Sequence, residues 1–106
     1  YLSGHDGKTI SGADVINVIK DTYASSDYVQ VVVKTNGAAA AVAYVTDRAI
    51  GGTSIGPGNK IANFSTLIGN AEDKTNGNYI ASTGKFKGAI SRDANGTIVE
   101  LYFTQQ

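Results

Sequence analysis

The sequence lacks several residue types on which protein chemistry often depends. None of its 106 residues is cysteine, methionine or tryptophan, and histidine and proline occur once each. Without cysteine the chain can form no disulfide, no thiolate metal site and no cysteine nucleophile. A single histidine narrows the catalytic options further. We therefore expect no metal, no cofactor and no enzymatic activity.

Charge is also scarce, and neither sign is in excess. Nine basic and nine acidic residues give a formal net charge of zero. Proteins that bind nucleic acid or acidic membranes draw much of their affinity from an excess of Lys and Arg. The balance therefore argues against both kinds of partner. Hydrophobic residues make up 42% of the chain, which is enough for one core and predicts a single domain over 1–106.

Long apolar runs are absent as well. No stretch approaches the ~20 apolar residues that cross a membrane. Because the chain contains no methionine, Tyr1 is not a translational start, and we expect further sequence upstream of it. A signal peptide or a membrane anchor would lie there. Membrane attachment is thus expected only through an anchor outside this chain.

One amphipathic helix is predicted over 12–24. Ser11 is a suitable N-cap residue, and Asp14 follows three places later as its capping-box partner. Apolar side chains then recur at helical spacing and form one stripe. They are Val15, Ile16, Ile19 and Tyr23.

A first β-hairpin is predicted from segments 28–35 and 38–46. The Asn-Gly pair at 36–37 between them favours a two-residue turn. That turn pairs Val33 with Ala40 and gives the hairpin one apolar face. The side chains of this face are Val29, Val31, Val33, Ala40, Val42 and Tyr44.

A second hairpin is predicted from 85–92 and 97–104. A two-residue turn at 95–96 pairs Ile90 with Leu101, whereas a bulged three-residue loop would shift the pairing by one. Together the segments predict an α+β fold, with the helix packed on a four- to five-stranded antiparallel sheet built from the two hairpins. Residues 1–10 are expected to be flexible.

Two segments between the hairpins are less regular. Residues 51–60 contain four glycines and the only proline, which predicts a long connection. Residues 63–71 fit a short helix or an irregular segment that closes the core with Phe64, Leu67 and Ile68. Long loops often carry function, so the 51–60 connection is a candidate binding loop.

Motifs for catalysis are incomplete. Gly7, Lys8 and Thr9 match the end of a phosphate-binding loop, but Leu2 stands where that motif needs its first glycine. His5 beside Asp6 is the only imidazole a hydrolase could use, and no nucleophile motif accompanies it. We expect His5 to be solvated.

The outer face of the predicted sheet is the candidate interaction surface. Tyr28, Gln30, Tyr102 and Glu100 fall on it by strand alternation. The strand edge at 38–46 could also pair with another subunit. A protein partner or self-association is therefore expected.

Two stretches carry a resemblance. Residues 8–20 (KTISGADVINVIK) and 86–105 (FKGAISRDANGTIVELYFTQ) resemble small exported or anchored proteins of Firmicutes and their mobile elements. That group is similar in layout to type IV pilins, with a hydrophobic N-terminal anchor and a compact helix-and-sheet ectodomain. The resemblance implies a non-enzymatic extracellular or cell-surface domain of a Gram-positive bacterium, pilin-like or adhesin-like, without catalytic residues.

Two other functions stay open. A soluble module that binds a small molecule or a peptide would need a pocket, for which Phe64, Ile68 and Tyr79 are candidates. A hydrolase would depend on His5. The interaction domain is the leading hypothesis.

Overall fold

A computed structural model of the chain describes residues 2–53, 56 and 58–106. A 3₁₀ turn at Leu2–His5 precedes β1 (Thr9–Ser11), α1 (Gly12–Ala24), β2 (Gln30–Lys34), β3 (Val42–Ala43), α2 (Phe64–Ala71), β4 (Lys85–Arg92) and β5 (Ile98–Gln105). The α+β class is confirmed. The predicted 51–60 connection lies partly outside the described residues.

Helix α1 has the predicted bounds. Asp14 donates its backbone N–H to Ser11 Oγ over 3.1 Å, so the N-cap satisfies one of the free amides of the first turn. Val15 and Ile19 are fully buried, as the helical spacing predicts. The helix ends where Ser25 N–H returns to the carbonyls of Asp21 and Thr22.

The sheet is mixed, so the prediction of a purely antiparallel sheet is wrong. The strand order is β1-β4-β5-β2-β3. Strands β2 and β5 run parallel, while the other neighbours are antiparallel. Turn signals specify the pairing inside a hairpin, but they do not specify how one hairpin lies beside the other. Helix α1 follows β1, so a strand precedes it.

The first hairpin has a wider loop than predicted. Val33 pairs with Val42 instead of Ala40, a shift of two residues, and β3 is only Val42–Ala43. Gly37 does not have a positive φ, so the Asn-Gly pair forms no two-residue turn of the expected type. Its backbone lies against Gly77 instead, where an added Cβ would be 3.0 Å from the Gly77 carbonyl oxygen. Because the shift is even, the apolar face keeps its side of the sheet.

The second hairpin has the predicted register along most of its length. Ile90 pairs with Leu101 and Gly88 with Phe103. The turn, however, spans 93–97 with Gly96 at φ 81°, so the two-residue turn at 95–96 is wrong. A bulge between Ser91 and Arg92 compensates for the longer loop.

The N-terminal segment, expected to be flexible, packs along β4. Gly7 donates to the carbonyl of Gly88 over 2.8 Å, and Gly88 donates to the carbonyl of Lys8 over 2.9 Å. A Cβ at Gly88 would overlap the carbonyl oxygen of His5, so glycine is required for this close approach.

The two faces of the sheet are covered differently. We call the face under α1 the inner face; it buries Val31, Val33, Phe86, Leu101 and Phe103 in the core. The opposite, outer face carries the alternate residues of the same strands. Residues 46–52, which we call the covering segment, cross part of this outer face.

Candidate functional site

Two of the four predicted surface residues are buried. Gln30 is 0% exposed and Glu100 is 3% exposed, so the prediction that both lie on an open face is wrong. Alternation places them on the outer face correctly, but the covering segment lies over that part of the face.

Hydrogen bonds from the two side chains hold the covering segment in place. Gln30 Nε2 donates to the carbonyl of Thr46 over 2.6 Å and to that of Arg48 over 2.7 Å. Gln30 Oε1 accepts from Thr46 N–H over 3.2 Å. Glu100 Oε2 accepts from Gly51 N–H over 2.8 Å. Buried polar groups need such partners, so these two residues have structural roles.

Tyr102 lies at the boundary of a part of the outer face that nothing described covers. It is half-buried between Ala89 on β4 and Val32 on β2. Beyond it the outward positions on three strands are exposed, except that Ser11 is half-buried. We call this surface the open half; its members are Thr9, Ser11, Lys85, Lys87, Ala89, Tyr102 and Thr104.

The open half is basic. Lys85 and Lys87 are exposed and alternate with the buried Phe86. Lys34 adds a third ammonium group at its edge, although its Nζ is bound to the carbonyls of Thr35 and Ala38. No acidic side chain stands at the outward positions of the described strands in this half. The alternation of Lys85 and Lys87 about Phe86 is a signal from which the sequence could have identified this surface.

Tyr28, the fourth predicted residue, lies apart from Tyr102. It is 45% exposed and borders a cleft of about 610 Å³ near the starts of β2 and β5. Both arginines of the chain, Arg48 and Arg92, line this cleft together with two carboxylates, those of Asp27 and Asp93. The four predicted residues therefore do not form one surface.

Lys60 fixes the chain beside Tyr28. Its Nζ donates to the carbonyls of Thr22, Ser25 and Asp27 over 2.8, 3.1 and 2.7 Å, and it lies 5.3 Å from the centroid of the Tyr28 ring. Burial lowers the pKa of Lys60, and the charge of Asp27 opposes that shift. A cation at the carboxyl end of α1 stabilises the free carbonyls there.

His5 is half-buried, not solvated as expected. Its ring meets that of Phe103 edge to face, with the centroids 5.7 Å apart. Burial lowers the pKa of His5, and the nearby Lys8 lowers it further. Asp6 Oδ1 accepts from the backbone N–H of Ile90 over 3.2 Å. His5 and Asp6 thus pack the N-terminal segment against the sheet.

The predicted pocket of Phe64, Ile68 and Tyr79 is not assembled as one recess. Phe64 stacks on Tyr23 with the ring centroids 3.8 Å apart, and Ile68 belongs to the core. Tyr79 instead lines a recess of about 350 Å³ beside α1.

The described part of the chain offers neither a cluster of metal-ligating side chains nor a membrane-spanning helix. Residues 2–53, 56 and 58–106 contain no group of three or more His, Asp or Glu side chains placed to hold a metal ion. Neither of the α-helices described is long and apolar enough to span a membrane.

Comparisons with known proteins gave no match: no family model, no curated protein and no solved structure matches the chain. The resemblance to exported Firmicutes proteins with a pilin-like layout therefore stays a prediction.

Proposed function

We propose that the protein is a non-enzymatic domain that binds a protein partner through the open half of its outer face. The observation that carries this proposal is that one part of the outer face of the sheet is covered by the chain and another part is exposed. The covering segment lies over Gln30 and Glu100 and leaves the region of Lys85, Lys87 and Ala89 exposed.

The chemistry of the open half suits a protein contact. Tyr102 offers a rigid ring with a polar end, and tyrosine is enriched where proteins meet. The side chains around the Tyr102 ring are small, namely those of Ala89, Thr9 and Thr104. A partner can therefore approach the backbone of these strands closely. Lys85 and Lys87 give the surface a positive charge, which favours an acidic partner.

The setting we propose is the cell surface of a Gram-positive bacterium, where the domain would act as a pilin-like or adhesin-like module. The resemblance of residues 8–20 and 86–105 to exported proteins supports this setting. Attachment to the membrane would require an anchor outside this chain.

A binding assay with a charge-reversed surface tests the proposal. The immobilised domain is exposed to solubilised cell-envelope protein of a Gram-positive bacterium, and the retained protein is identified and then titrated. Tyr102→Ala and Lys87→Glu are each expected to weaken binding by about tenfold. Lys74→Glu is the matched control, because Lys74 is exposed in the turn after α2. Equal binding by all four proteins would contradict the proposal.

The cleft beside Tyr28 favours a second candidate function, a small-molecule binding module. Its volume of about 610 Å³ is in the range of ligand sites. The guanidinium of Arg92 suits a carboxylate or a phosphate ester, while the carboxylates of Asp27 and Asp93 in the same lining suit a ligand that also carries hydrogen-bond donors. A thermal-shift screen of small carboxylates and phosphate esters tests it. A ligand of the cleft should stabilise the wild type, and Arg92→Gln should remove that shift.

A further inference from the structure

The free edge of β1 borders the open half. In an antiparallel pair, alternate residues direct their backbone N–H and C=O groups toward the partner strand, and the residues between direct theirs away. Gly88 N–H donates to the carbonyl of Lys8, and Gly12 N–H donates to that of Gly84. These two bonds set the phase of the pair, so Thr9 and Ser11 direct their backbone groups away from β4.

Three of these outward groups have no partner in the described protein. No hydrogen bond within residues 2–53, 56 and 58–106 involves Thr9 N–H, Thr9 C=O or Ser11 N–H. The carbonyl of Ser11 is different, because an N-cap carbonyl accepts the first bond of its helix. An unpaired strand edge is a template for another extended chain.

A groove lies beside β1. It has a volume of about 330 Å³ and lies between β1, the first turn of α1 and the segment before β4. Ile10 forms part of its wall, so an apolar side chain could be accommodated there. Lys8 and Lys85 lie at the groove as well.

The charged residues around the free edge of β1 indicate which kind of extended chain would bind there. Lys8, Lys85 and Lys87 are exposed at or next to the groove, and Asp14 is the one acidic residue among those that line it in the described structure. Residues of an added strand that lie opposite Thr9 and Ser11 share the outer face with Lys85 and Lys87. Acidic side chains at those positions would meet two ammonium groups.

We infer that the free edge of β1 binds an extended acidic segment of a partner protein as an additional β-strand. This inference rests on the proposed function and specifies how the partner is held. Hydrogen bonds to Thr9 and Ser11 align the segment, an apolar residue faces Ile10, and acidic residues on either side of it face the lysines.

A second copy of this chain fits the edge less well. Antiparallel pairing of two β1 strands about a two-fold axis would place Lys85 and Lys87 of both copies on one face of a continuous sheet. Repulsion among these like charges disfavours the pairing. The charge of the edge therefore favours an acidic partner.

The test uses a synthetic ten-residue peptide of alternating Glu and Val with blocked ends, and a control peptide with Lys in place of Glu. Titration followed by NMR should show that the acidic peptide binds and that the Thr9 and Ser11 amides become protected from hydrogen exchange. The basic peptide should not bind. Failure of the acidic peptide to bind, or protection elsewhere, would overturn the inference.

Variants of the backbone and of the charge distinguish hydrogen bonding of the peptide to the β1 edge from electrostatic attraction to the lysines alone. Thr9→Pro removes an outward N–H and leaves the bonds of β1 to β4 in place, so it should weaken peptide binding by about tenfold. Thr9→Val keeps the N–H and should bind like the wild type. Lys85→Glu should also weaken binding. Equal affinity of Thr9→Pro and Thr9→Val would overturn pairing at the edge.

Two further outcomes distinguish this inference from the proposed function. If Tyr102→Ala loses the envelope partner while Thr9→Pro retains it, the proposed function stands and the edge inference fails. If concentration-dependent self-association without peptide protects the Thr9 and Ser11 amides, the occupant is a second copy and the acidic segment is rejected.

Discussion

The two halves of the outer face belong to one sheet and follow the same alternation, yet one is buried and the other is open. In the covered half, Gln30 and Glu100 bond to the backbone of the covering segment. In the open half, Lys85 and Lys87 are exposed. Alternation decides the face on which a residue lies, but only the path of the chain decides whether that face is covered. A polar side chain on an outer face can therefore be a core residue.

The largest expected effect concerns Gln30. Gln30→Ala removes the partners of Thr46 N–H and of two carbonyls, all in a buried site. We expect the free energy of unfolding to fall by about 3 kcal/mol. Urea denaturation measures it, with Thr104→Ala on the open half as the control, for which about 0.5 kcal/mol or less is expected. An equal loss of unfolding free energy in Gln30→Ala and Thr104→Ala would contradict the proposed difference between the covered half and the open half.

Tyr44, two residues before the covering segment, gives a prediction for the pH dependence of stability. It is 1% exposed, and burial raises its pKa from 10.0 to about 12. Because the folded state holds this proton more tightly, the stabilisation is present below pH 10 and is lost as the pH rises through about 12. The loss is about 2 to 3 kcal/mol.

Denaturation of the wild type and of Tyr44→Phe between pH 9 and 12 measures this contribution. The lowered pKa of Lys60 contributes with the opposite sign, so the difference between the two proteins is the informative quantity. That difference should shrink or reverse with rising pH. A constant difference would show that burial does not perturb Tyr44.

Glu100 should have a smaller effect than Gln30. Glu100→Ala leaves Gly51 N–H without its carboxylate acceptor, which costs about 1.5 kcal/mol. Glu100→Gln keeps an acceptor oxygen of similar position and should recover part of that loss. Urea denaturation of both variants checks the order, and an equal loss in the two would mean that the hydrogen bond contributes nothing.

The smallest effect on stability is expected in the open half. Lys87 is exposed and makes no described ion pair, so Lys87→Glu should change the free energy of unfolding by about 0.5 kcal/mol or less. Binding of the envelope partner should nevertheless fall. A Lys87→Glu protein that unfolds easily would assign this residue a structural role instead.

Local patterns predicted the elements that depend on neighbouring residues. The Ser11 cap and the spacing of Val15 and Ile19 gave α1, and the alternation of the last segments gave the register of β4 and β5. The parallel pairing of β2 with β5 could not be predicted in this way, because it joins strands far apart in the chain. The Asn-Gly pair at 36–37 predicted a two-residue turn that does not form, since Gly37 instead permits a close approach to Gly77.

The candidate site was predicted less well than the fold. Tyr102 and Tyr28 retain exposed surface, but they lie in different places, and Gln30 and Glu100 are buried. Their burial depends on where residues 46–52 cross the sheet, and no periodicity encodes that path. The free backbone groups of Thr9 and Ser11 follow from the pairing of β1 with β4, which sequence patterns did not predict.

The most direct test of the central claim uses the absence of cysteine from the chain. Single cysteines are introduced by Ala89→Cys in the open half and by Lys74→Cys in the exposed turn after α2. Their rates of thiol labelling are measured with and without the envelope partner. We predict that the partner slows labelling of Ala89→Cys and leaves that of Lys74→Cys unchanged. Unchanged labelling of Ala89→Cys in the bound protein would contradict the account.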